Sequence, residues 1–323
     1  IYPLRGKCLN VRNATIKSIS ENKEITDVIQ ALGLKYGTDY SDEANFESLR
    51  YGNVLIITDA DEDGHHISSL IINFFHKLFP SLLDRQPSFL QSMMTPIAKI
   101  FYGGSDRVET FYNDFEYQHS LQAIQQQEKP VKIRVKYYKG LGTSSDQEVR
   151  DTFGQKVVRL VKDEQTDEMM DKLFHKNSSH ERKEWLTTYD ASAYQTPSEE
   201  YPLTQYFNQE LIQFSIEDCR RSIPNLFDGL KVSHRKILYS VFKKNLVPSG
   251  KSMKVAQLAG YCAEHSNYHH GEQCLHDTII KMTHNFAGSN NVPFLARDGQ
   301  FGSRAYGGKD AANGRYIFTK NTE

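Results

Sequence analysis

The sequence lacks long apolar runs, and none approaches the roughly 20 residues needed to span a bilayer. It holds only four cysteines in 323 residues, and they are scattered. That is too few for a disulfide scaffold in a chain of this length, so we expect an intracellular, reducing compartment. The 18 Phe and 18 Tyr, with many Ile, Leu and Val, exclude a wholly disordered chain because they suffice to build cores.

Paired metal-binding cysteines are also missing, since no CxxC motif occurs. A loose group does lie close together in the sequence, consisting of Cys262, His265, His269, His270 and Cys274. Its spacing matches no familiar zinc pattern, and no second ligand pair completes a tetrahedron. The sequence therefore disfavours structural zinc.

Net charge is almost absent, at −1, which argues against a polyanionic partner when the chain is taken as a whole. The charge is unevenly distributed, however. Residues 215–323 have an excess of 6 positive charges, whereas residues 1–214 have an excess of 7 negative ones. Residues 231–254 contain seven basic residues and no acidic one. The near-zero net charge is therefore an average over an acidic half and a basic half.

The length suggests two domains. In the first half, Val54–Thr58 is a short apolar run typical of a strand buried on both faces. Apolar residues at helical spacing follow over Ile67–Phe79, up to Pro80. This order predicts a βα unit in a parallel-sheet α/β domain. We further predict a strand over Val131–Tyr138, a helix over Glu148–Leu173 and a polar linker over 176–202.

The second half reads as a series of short helices. They are predicted over Gln209–Arg221, Val232–Phe242, Val255–Glu264 and His276–Phe286. Two helices joined by a short glycine-containing segment beside a basic stretch are typical of a helix-turn-helix or winged-helix module.

The sharpest local motif is the acidic segment Asp59–Gly64, which places alternate aspartates after the predicted strand. Open α/β sheets bind ligands at that end of a strand, and clustered carboxylates need a cation such as Mg²⁺ or Ca²⁺. An EF-hand also begins D-x-D-x-D-G, but its twelfth position would be Leu70 instead of Glu, and a strand precedes the loop. A solvated acidic turn or helix N-cap is the third interpretation.

A second motif is the glycine-rich stretch from Gly299 to Tyr316, which also contains arginines and a lysine. Glycines allow a backbone to approach a ligand closely, and arginines hold phosphate oxygens. Tyr316 beside Arg315 is a candidate nucleophile, because a neighbouring cation stabilises a phenolate. The alternative is a strand tyrosine whose ring simply packs.

Several further motifs occur in a fixed order along almost the whole chain. They are Pro3–Lys7 with Leu9–Arg12, Leu49–Gly52, Thr58–Gly64, Tyr137–Thr143, Arg182–Thr187, Arg221–Pro224 with Asp228–Lys231, Lys254–Ala259, Tyr268–Glu272, Gly308–Ala312 and Arg315–Ile317. In these motifs the sequence resembles the cleavage core of type IIA DNA topoisomerases, particularly the eukaryotic topoisomerase II branch.

The resemblance implies a TOPRIM domain over 1–175, a linker over 176–202 and a winged-helix domain over 203–323. Tyr316 would attack a DNA phosphodiester to form a 5′-phosphotyrosyl bond, supported by Arg315 and His270. Three aspartates would bind Mg²⁺, for which Mn²⁺ or Ca²⁺ substitutes: Asp59, Asp61 and Asp63. The implied DNA-binding residues are basic: Arg5, Lys7, Lys139, Arg221 and Lys231. Double-stranded DNA and a second copy of the enzyme are the implied partners.

The resemblance also sets expectations for the rest of the enzyme. The sequence begins at Ile1 without an initiator Met, so we expect an internal piece of a longer protein. The TOPRIM glutamate and the ATP-binding domain would then lie outside the chain. Asn313-Gly314 stands where cellular enzymes commonly carry Ser-Pro or Ala-Ala, which favours a divergent member, such as one from a large cytoplasmic DNA virus. The location would be the nucleus for a cellular enzyme and the host cytoplasm for a viral one.

Two other functions remain open on the sequence. A binding-only module would hold DNA without forming a covalent adduct. A different TOPRIM enzyme, such as a primase or nuclease, would lack the winged helix ending in Arg315-Tyr316.

Overall fold

The computed structural model describes residues 1–127, 132–138, 140, 142, 144–268, 270–290 and 292–322. The chain divides into two compact units, one covering Ile1–Glu217 and the other running from Asp218 onward. Within the described ranges, no helix has the length and apolar character that a membrane crossing requires.

The first unit combines nine complete α-helices with seven strands among the described residues. The helices are α1 (Ile16–Ser20), α2 (Lys23–Leu32), α3 (Glu43–Glu47), α4 (Glu62–Leu78), α5 (Asp114–Gln125), α6 (Asp146–Thr152), α7 (Thr166–Phe174), α8 (Ser179–Thr187) and α9 (Leu203–Tyr206). The strands are β1 (Val54–Ile57), β2 (Leu90–Met93), β3 (Ala98–Tyr102), β4 (Val108–Phe111), β5 (Ile133–Tyr137), β6 (Val157–Val161) and β7 (Glu200–Pro202).

The main sheet is mixed, which corrects the expected parallel sheet. Its strand order is β1-β2-β6-β7. β1 pairs with β2 in parallel and β6 with β7 in parallel, but β2 and β6 are antiparallel. β1 lies at the sheet edge, so only Ile56 is fully buried while Ile57 is 37% exposed. The expectation of a strand buried on both faces was therefore wrong in this respect.

Helix α4 begins five residues earlier than the apolar periodicity predicted, at Glu62. Asp61 is its N-cap, and its side chain accepts a hydrogen bond from the Gly64 amide. Such a cap satisfies one of the amide donors that a helix leaves open at its N-terminus. The buried face of α4, including Leu70, Phe74 and Phe75, joins the largest core of this unit.

The predicted helix over Glu148–Leu173 is instead α6, strand β6 and α7. Gly154 adopts a φ of 75° between α6 and β6. Within β6, Val158 and Leu160 are buried while their neighbours are partly exposed, the period-2 pattern of a strand. The charged residues on either side concealed this alternation.

The segment 176–202, expected to be a linker, contains α8 and β7. Trp185 and Tyr201 are 3% and 2% exposed and belong to the core of the first unit. The boundary between the two units accordingly falls at 217/218. It lies within a helical run in which a π-helical turn, Phe207–Leu211, joins α9 to α10 (Ile212–Ser222).

A second, antiparallel sheet of order β4-β3-β5 was not anticipated as a separate layer. The expected strand over Val131–Tyr138 lies in it as β5, although Val131 falls outside the described residues. Ile100, Phe111 and Tyr117 form part of a small core of their own beneath this sheet.

The second unit packs three helices beside a three-stranded antiparallel sheet of order β8-β10-β9. Its first two helices match the predicted ones within one residue, whereas the last begins and ends four residues earlier than predicted. The elements are α11 (Val232–Lys243), β8 (Met253–Lys254), α12 (Val255–His265), α13 (Glu272–Met282), β9 (Leu295–Asp298) and β10 (Phe318–Asn321). Their core is built around Ile237, Leu258 and Ile279.

Candidate functional site

The acidic segment forms the turn between β1 and α4. Asp59 follows the strand, and the Asp61 Oδ1 accepts from the Gly64 amide at 2.8 Å. A Cβ on Gly64 would lie only 2.1 Å from the Asp59 carbonyl oxygen, so a residue without a side chain is required here. The first turn of α4 therefore lies directly on the end of the strand, which holds the aspartates at the edge of the sheet.

A lysine from the N-terminal segment meets this turn. The Lys7 Nζ lies 2.9 Å from Asp63 Oδ1 and 4.5 Å from the centre of the Phe214 ring. The structure thus brings a predicted DNA-binding residue against a predicted metal ligand. Arg5, two residues earlier, is exposed.

A glycine loop closes on the same turn from another direction. A Cβ on Gly140 would lie 2.7 Å from the Asp59 carboxylate carbon, so the backbone of Gly140 lies against that carboxylate. Glu148 fixes the residues that lead into this loop, since its carboxylate accepts hydrogen bonds from Lys136 Nζ and from the Tyr138 hydroxyl, both at 2.6 Å. Lys139, the predicted DNA-binding residue of this loop, lies outside the described residues.

The donor set of the turn suits a hard divalent cation. Magnesium is commonly bound by one or two carboxylates, with water and phosphate oxygens completing its shell. Asp59 and Asp61 supply such carboxylates, while Asp63 is paired with Lys7. Within the described part of the chain, no three His, Cys, Asp or Glu side chains lie close enough to hold a metal together. The residues fit a cation that shares its shell with a phosphate better than one enclosed by protein alone.

The structure excludes the EF-hand interpretation. A strand precedes the acidic turn instead of a helix. Leu70, at the position of the bidentate glutamate, is 4% exposed and packs in the core. The N-cap interpretation of the segment is correct for Asp61, and it is compatible with a metal because that cap occupies one carboxylate oxygen.

Tyr316 lies in an exposed turn immediately before β10. Its side chain is 65% exposed, and its amide donates to the Asn313 carbonyl at 2.9 Å. The first two amides of α12 donate to the carbonyls on either side of Tyr316: Val255 to Ile317 and Ala256 to Gly314, each at 3.0 Å. Backbone hydrogen bonds thus fix the turn while the phenol projects to solvent, which is not the packed strand tyrosine of the alternative interpretation.

The surroundings of Tyr316 are cationic on one side and tightly packed on the other. The Arg315 guanidinium lies 4.9 Å from the centre of the Tyr316 ring. Beneath the turn, a Cβ on Gly314 would lie 3.1 Å from Val255 Cγ1 and 3.3 Å from the His276 ring. In the sequence, His276 carries no functional signal beyond its position as the first residue of a predicted helix.

The remaining predicted residues of the second unit are spread over its surface. His270 is exposed, and its ring lies edge-on to Tyr268 at 5.4 Å. Arg221 Nε lies 3.4 Å from Asp218 Oδ1 at the end of α10. Lys231 precedes α11, and its backbone amide donates to His234 Nδ1 at 3.2 Å. Burial, followed by the charge of Lys231, lowers the pKa of His234.

Three family models match consecutive stretches of the chain. The Toprim domain matches residues 1–88, and the C-terminal associated domain of TOPRIM matches residues 93–219. The family of the A-type subunits of DNA gyrase/topoisomerase IV matches residues 221–323.

Relatives cover the chain almost from end to end. DNA topoisomerase 2 of Invertebrate iridescent virus 6 is 44% identical over 98% of this chain and 29% of its own length. DNA topoisomerase 2 of Candida albicans is 45% identical over 100% of this chain and 22% of its own length. The chain therefore spans less than a third of these relatives, and identity does not separate the viral from the cellular one.

A solved structure shares the fold. It is the Plasmodium falciparum topoisomerase II DNA-binding, cleavage and re-ligation domain, with 42% identity and a TM-score of 0.78. The match covers 99% of this chain and 43% of that chain.

Proposed function

Because this chain belongs to the type IIA DNA topoisomerase family, we propose that it forms the DNA cleavage and religation core of an ATP-dependent, strand-passing enzyme. The observation that carries the proposal is the turn that presents Tyr316, exposed and beside Arg315, on backbone hydrogen bonds from α12. An accessible tyrosine on a backbone fixed by hydrogen bonds, with a guanidinium beside its ring, suits nucleophilic attack on a phosphodiester.

In the proposed reaction the Tyr316 hydroxyl loses its proton and its oxygen bonds to the phosphorus. The bond to the 3′ oxygen breaks, and that oxygen takes up a proton. The product is a 5′-phosphotyrosyl bond, and the reverse attack by the 3′ hydroxyl reseals the strand without a fresh nucleotide. Arg315 offsets the negative charge that develops on the phosphate oxygens, and His270 supports the same transfer.

Asp59 and Asp61, with Asp63 in the same turn, are the proposed holders of Mg²⁺. When bound, the cation supplies Lewis-acid stabilisation of charge on the phosphate. The chain's own contribution is to keep these carboxylates at the end of β1, through the Asp61 cap and the close approach of Gly64 and Gly140.

We propose that the second unit is a winged-helix module formed by α11, α12, α13 and the sheet β8-β10-β9.

Basic residues of both units would hold DNA through phosphate contacts, which make affinity fall steeply with salt. The proposed contacts are Arg5, Lys7, Lys139, Arg221 and Lys231.

The whole enzyme is proposed to act as a homodimer, with the tyrosine of one copy working beside the aspartates of the other. ATP would bind outside the chain described above. The proposed location is intracellular and reducing, as the few scattered cysteines favour: the nucleus for a cellular enzyme and the host cytoplasm for a viral one.

The experiment is a DNA-cleavage assay on the full-length protein with covalent adducts trapped by denaturation. We expect Tyr316→Phe to abolish adducts while non-covalent DNA binding persists. Tyr306→Phe is the matched control, because Tyr306 is 68% exposed in the same glycine-rich stretch. Adducts at the wild-type yield in Tyr316→Phe would show that another residue is the nucleophile.

A further inference from the structure

A buried glutamate lies beneath the acidic turn. Glu210, in the π-helical turn Phe207–Leu211, is 4% exposed. Its Oε1 accepts hydrogen bonds from the hydroxyls of Tyr194 and Tyr201, both at 2.9 Å. Burial, and then the negative charge of Glu210, raises the pKa of both tyrosines. Both hydroxyls therefore stay protonated and available as donors.

The other oxygen of Glu210 reaches the helix that begins at the aspartates. Glu210 Oε2 lies 3.2 Å from His65 Nε2, and His65 is two residues after Asp63 in the first turn of α4. The hydroxyl of Tyr206, from α9, donates to the His65 carbonyl at 3.3 Å. The run that contains α9 and the π-helical turn thus holds His65 by both its side chain and its backbone.

One helical turn later the same run makes a second pair of contacts with the site. The Phe214 ring stacks on His66 at 3.9 Å with an interplanar angle of 18°. The Lys7 ammonium group, which pairs with Asp63, lies over Phe214 as well. Glu210 and Phe214 are spaced at i and i+4, so they lie on one helix face toward the acidic turn.

A buried carboxylate such as that of Glu210 does not stabilise a core as an apolar side chain of similar volume does. Burying a charge costs several kcal/mol unless hydrogen bonds compensate for the lost water, and a well-packed apolar residue is often at least as stable. A carboxylate instead fixes the orientation of the groups that donate to it, because its hydrogen bonds have specific geometries. A π-helical turn often marks a functional site within a helix, and here it carries Glu210.

We propose that Glu210 is a positioning residue: fixed by Tyr194 and Tyr201, it holds His65 and thereby sets the first turn of α4 on which the metal-binding aspartates depend. The inference rests on the proposed function for the role of those aspartates. Glu210 itself touches neither metal nor DNA in this arrangement and acts through His65.

The test uses the full-length protein, variants that break or keep the contact between Glu210 and His65, and a control variant elsewhere. Glu210→Met removes the acceptors at nearly constant volume, and Glu210→Gln is the conservative variant that retains hydrogen bonding. His65→Ala cuts the same link from the partly exposed side and leaves the core intact, so it remains informative if Glu210→Met fails to fold. Glu184→Gln is the matched control, because Glu184 makes an exposed pair with His180 on α8, Nε2 to Oε1 at 3.4 Å.

Two readouts are independent of DNA cleavage: Mn²⁺ affinity measured by electron paramagnetic resonance, and amide hydrogen exchange in residues 62–68. We expect Glu210→Met and His65→Ala each to weaken Mn²⁺ binding and to speed exchange by about tenfold, a usual coupling between residues in contact. The double variant should be no worse than either single one. Glu210→Gln should retain most of the affinity, and Glu184→Gln should behave as the wild type.

A role in general stability alone would lower the unfolding temperature without changing the Mn²⁺ affinity of the folded protein. That result, or wild-type exchange of residues 62–68 in His65→Ala, overturns the inference whether or not the metal role holds. Absence of Mn²⁺ binding by the wild-type protein would instead refute the metal site of the proposed function, while the exchange measurement would still decide the role of Glu210.

Discussion

The close approach between Gly64 and the end of β1 predicts the effect of replacing this glycine by alanine. Two terms oppose each other. Alanine in a helix is favoured over glycine by about 1 kcal/mol. Against this, the added Cβ would lie 2.1 Å from the Asp59 carbonyl oxygen, well inside an ordinary van der Waals contact. Overpacking of this kind costs about 1–3 kcal/mol.

The cost should be near the upper end of that range. The obstructing atom belongs to the backbone, so it cannot rotate away, and Gly140 confines the Asp59 side chain on another side. We therefore expect Gly64→Ala to lower the free energy of unfolding of the first unit by about 2 kcal/mol net, since the overlap outweighs the gain in helix propensity. Because relief of the overlap requires the turn to open, metal-dependent cleavage should fall as well.

A second helical glycine provides the control. Gly260 lies within α12, and a Cβ added there would have no heavy atom within 4 Å beyond its own stretch of helix. Gly260→Ala should therefore stabilise the second unit by about 1 kcal/mol, the helix-propensity term alone. The fluorescence of the buried Trp185 during urea unfolding measures the stability of the first unit, and differential scanning calorimetry measures that of the second unit. Stabilisation of the first unit by Gly64→Ala would refute this prediction, because it would mean that the gain in helix propensity exceeds the cost of the steric overlap.

Two further predictions concern carboxylates near the acidic turn. Asp61→Ala should lose about 1 kcal/mol of stability with the cap to Gly64, whereas Asp61→Asn should keep the cap. Both variants should lose metal-dependent cleavage, which a magnesium titration measures, while unfolding midpoints measure the stability. Full metal-dependent cleavage by Asp61→Ala would contradict the metal assignment. Hydrogen bonds from Lys136, Tyr138 and Ser145 hold the pKa of Glu148 well below its usual range. A lowered pKa stabilises the folded state at pH values above the pKa of the unfolded state, and this stabilisation is lost progressively as the pH falls below about 4. Glu148→Gln should therefore be less stable than the wild type at pH 7, and thermal unfolding should show a smaller difference in stability at pH 3. A difference in stability that does not change with pH would rule this out.

Local patterns in the sequence predicted the elements whose signal is contained within them. α11 and α12 appear where the 3.6-residue periodicity of apolar residues placed them, with bounds shifted by one residue. Pattern reasoning failed at β6, because its two buried residues are flanked by charged segments that read as helix. It failed again at β7 and α8, since the polarity of residues 176–202 concealed the isolated core residues Trp185 and Tyr201.

The candidate site divides in the same way. The acidic turn and the Arg315-Tyr316 pair are each a local motif, so the amino-acid sequence alone could single them out as candidate sites. The Lys7–Asp63 ion pair and the Glu210–His65 contact join residues 56 and 145 positions apart, and only the packing of distant elements brings them together. No periodicity or spacing rule encodes such a meeting.

The support of the tyrosine turn by main-chain hydrogen bonds has a consequence for variation during evolution. The Gly314 and Ile317 carbonyls accept from α12 whatever side chains the turn carries, whereas Asn313 also contributes its side chain, because its Oδ1 accepts from the Arg315 amide at 3.2 Å. The constraint left at position 314 is size, because Val255 and His276 lie close beneath it. Drift at position 314 should thus be tolerated among small residues, and drift at position 313 should cost at most the one side-chain hydrogen bond to Arg315. A search profile that demands one particular dipeptide there would overlook genuine members of the family.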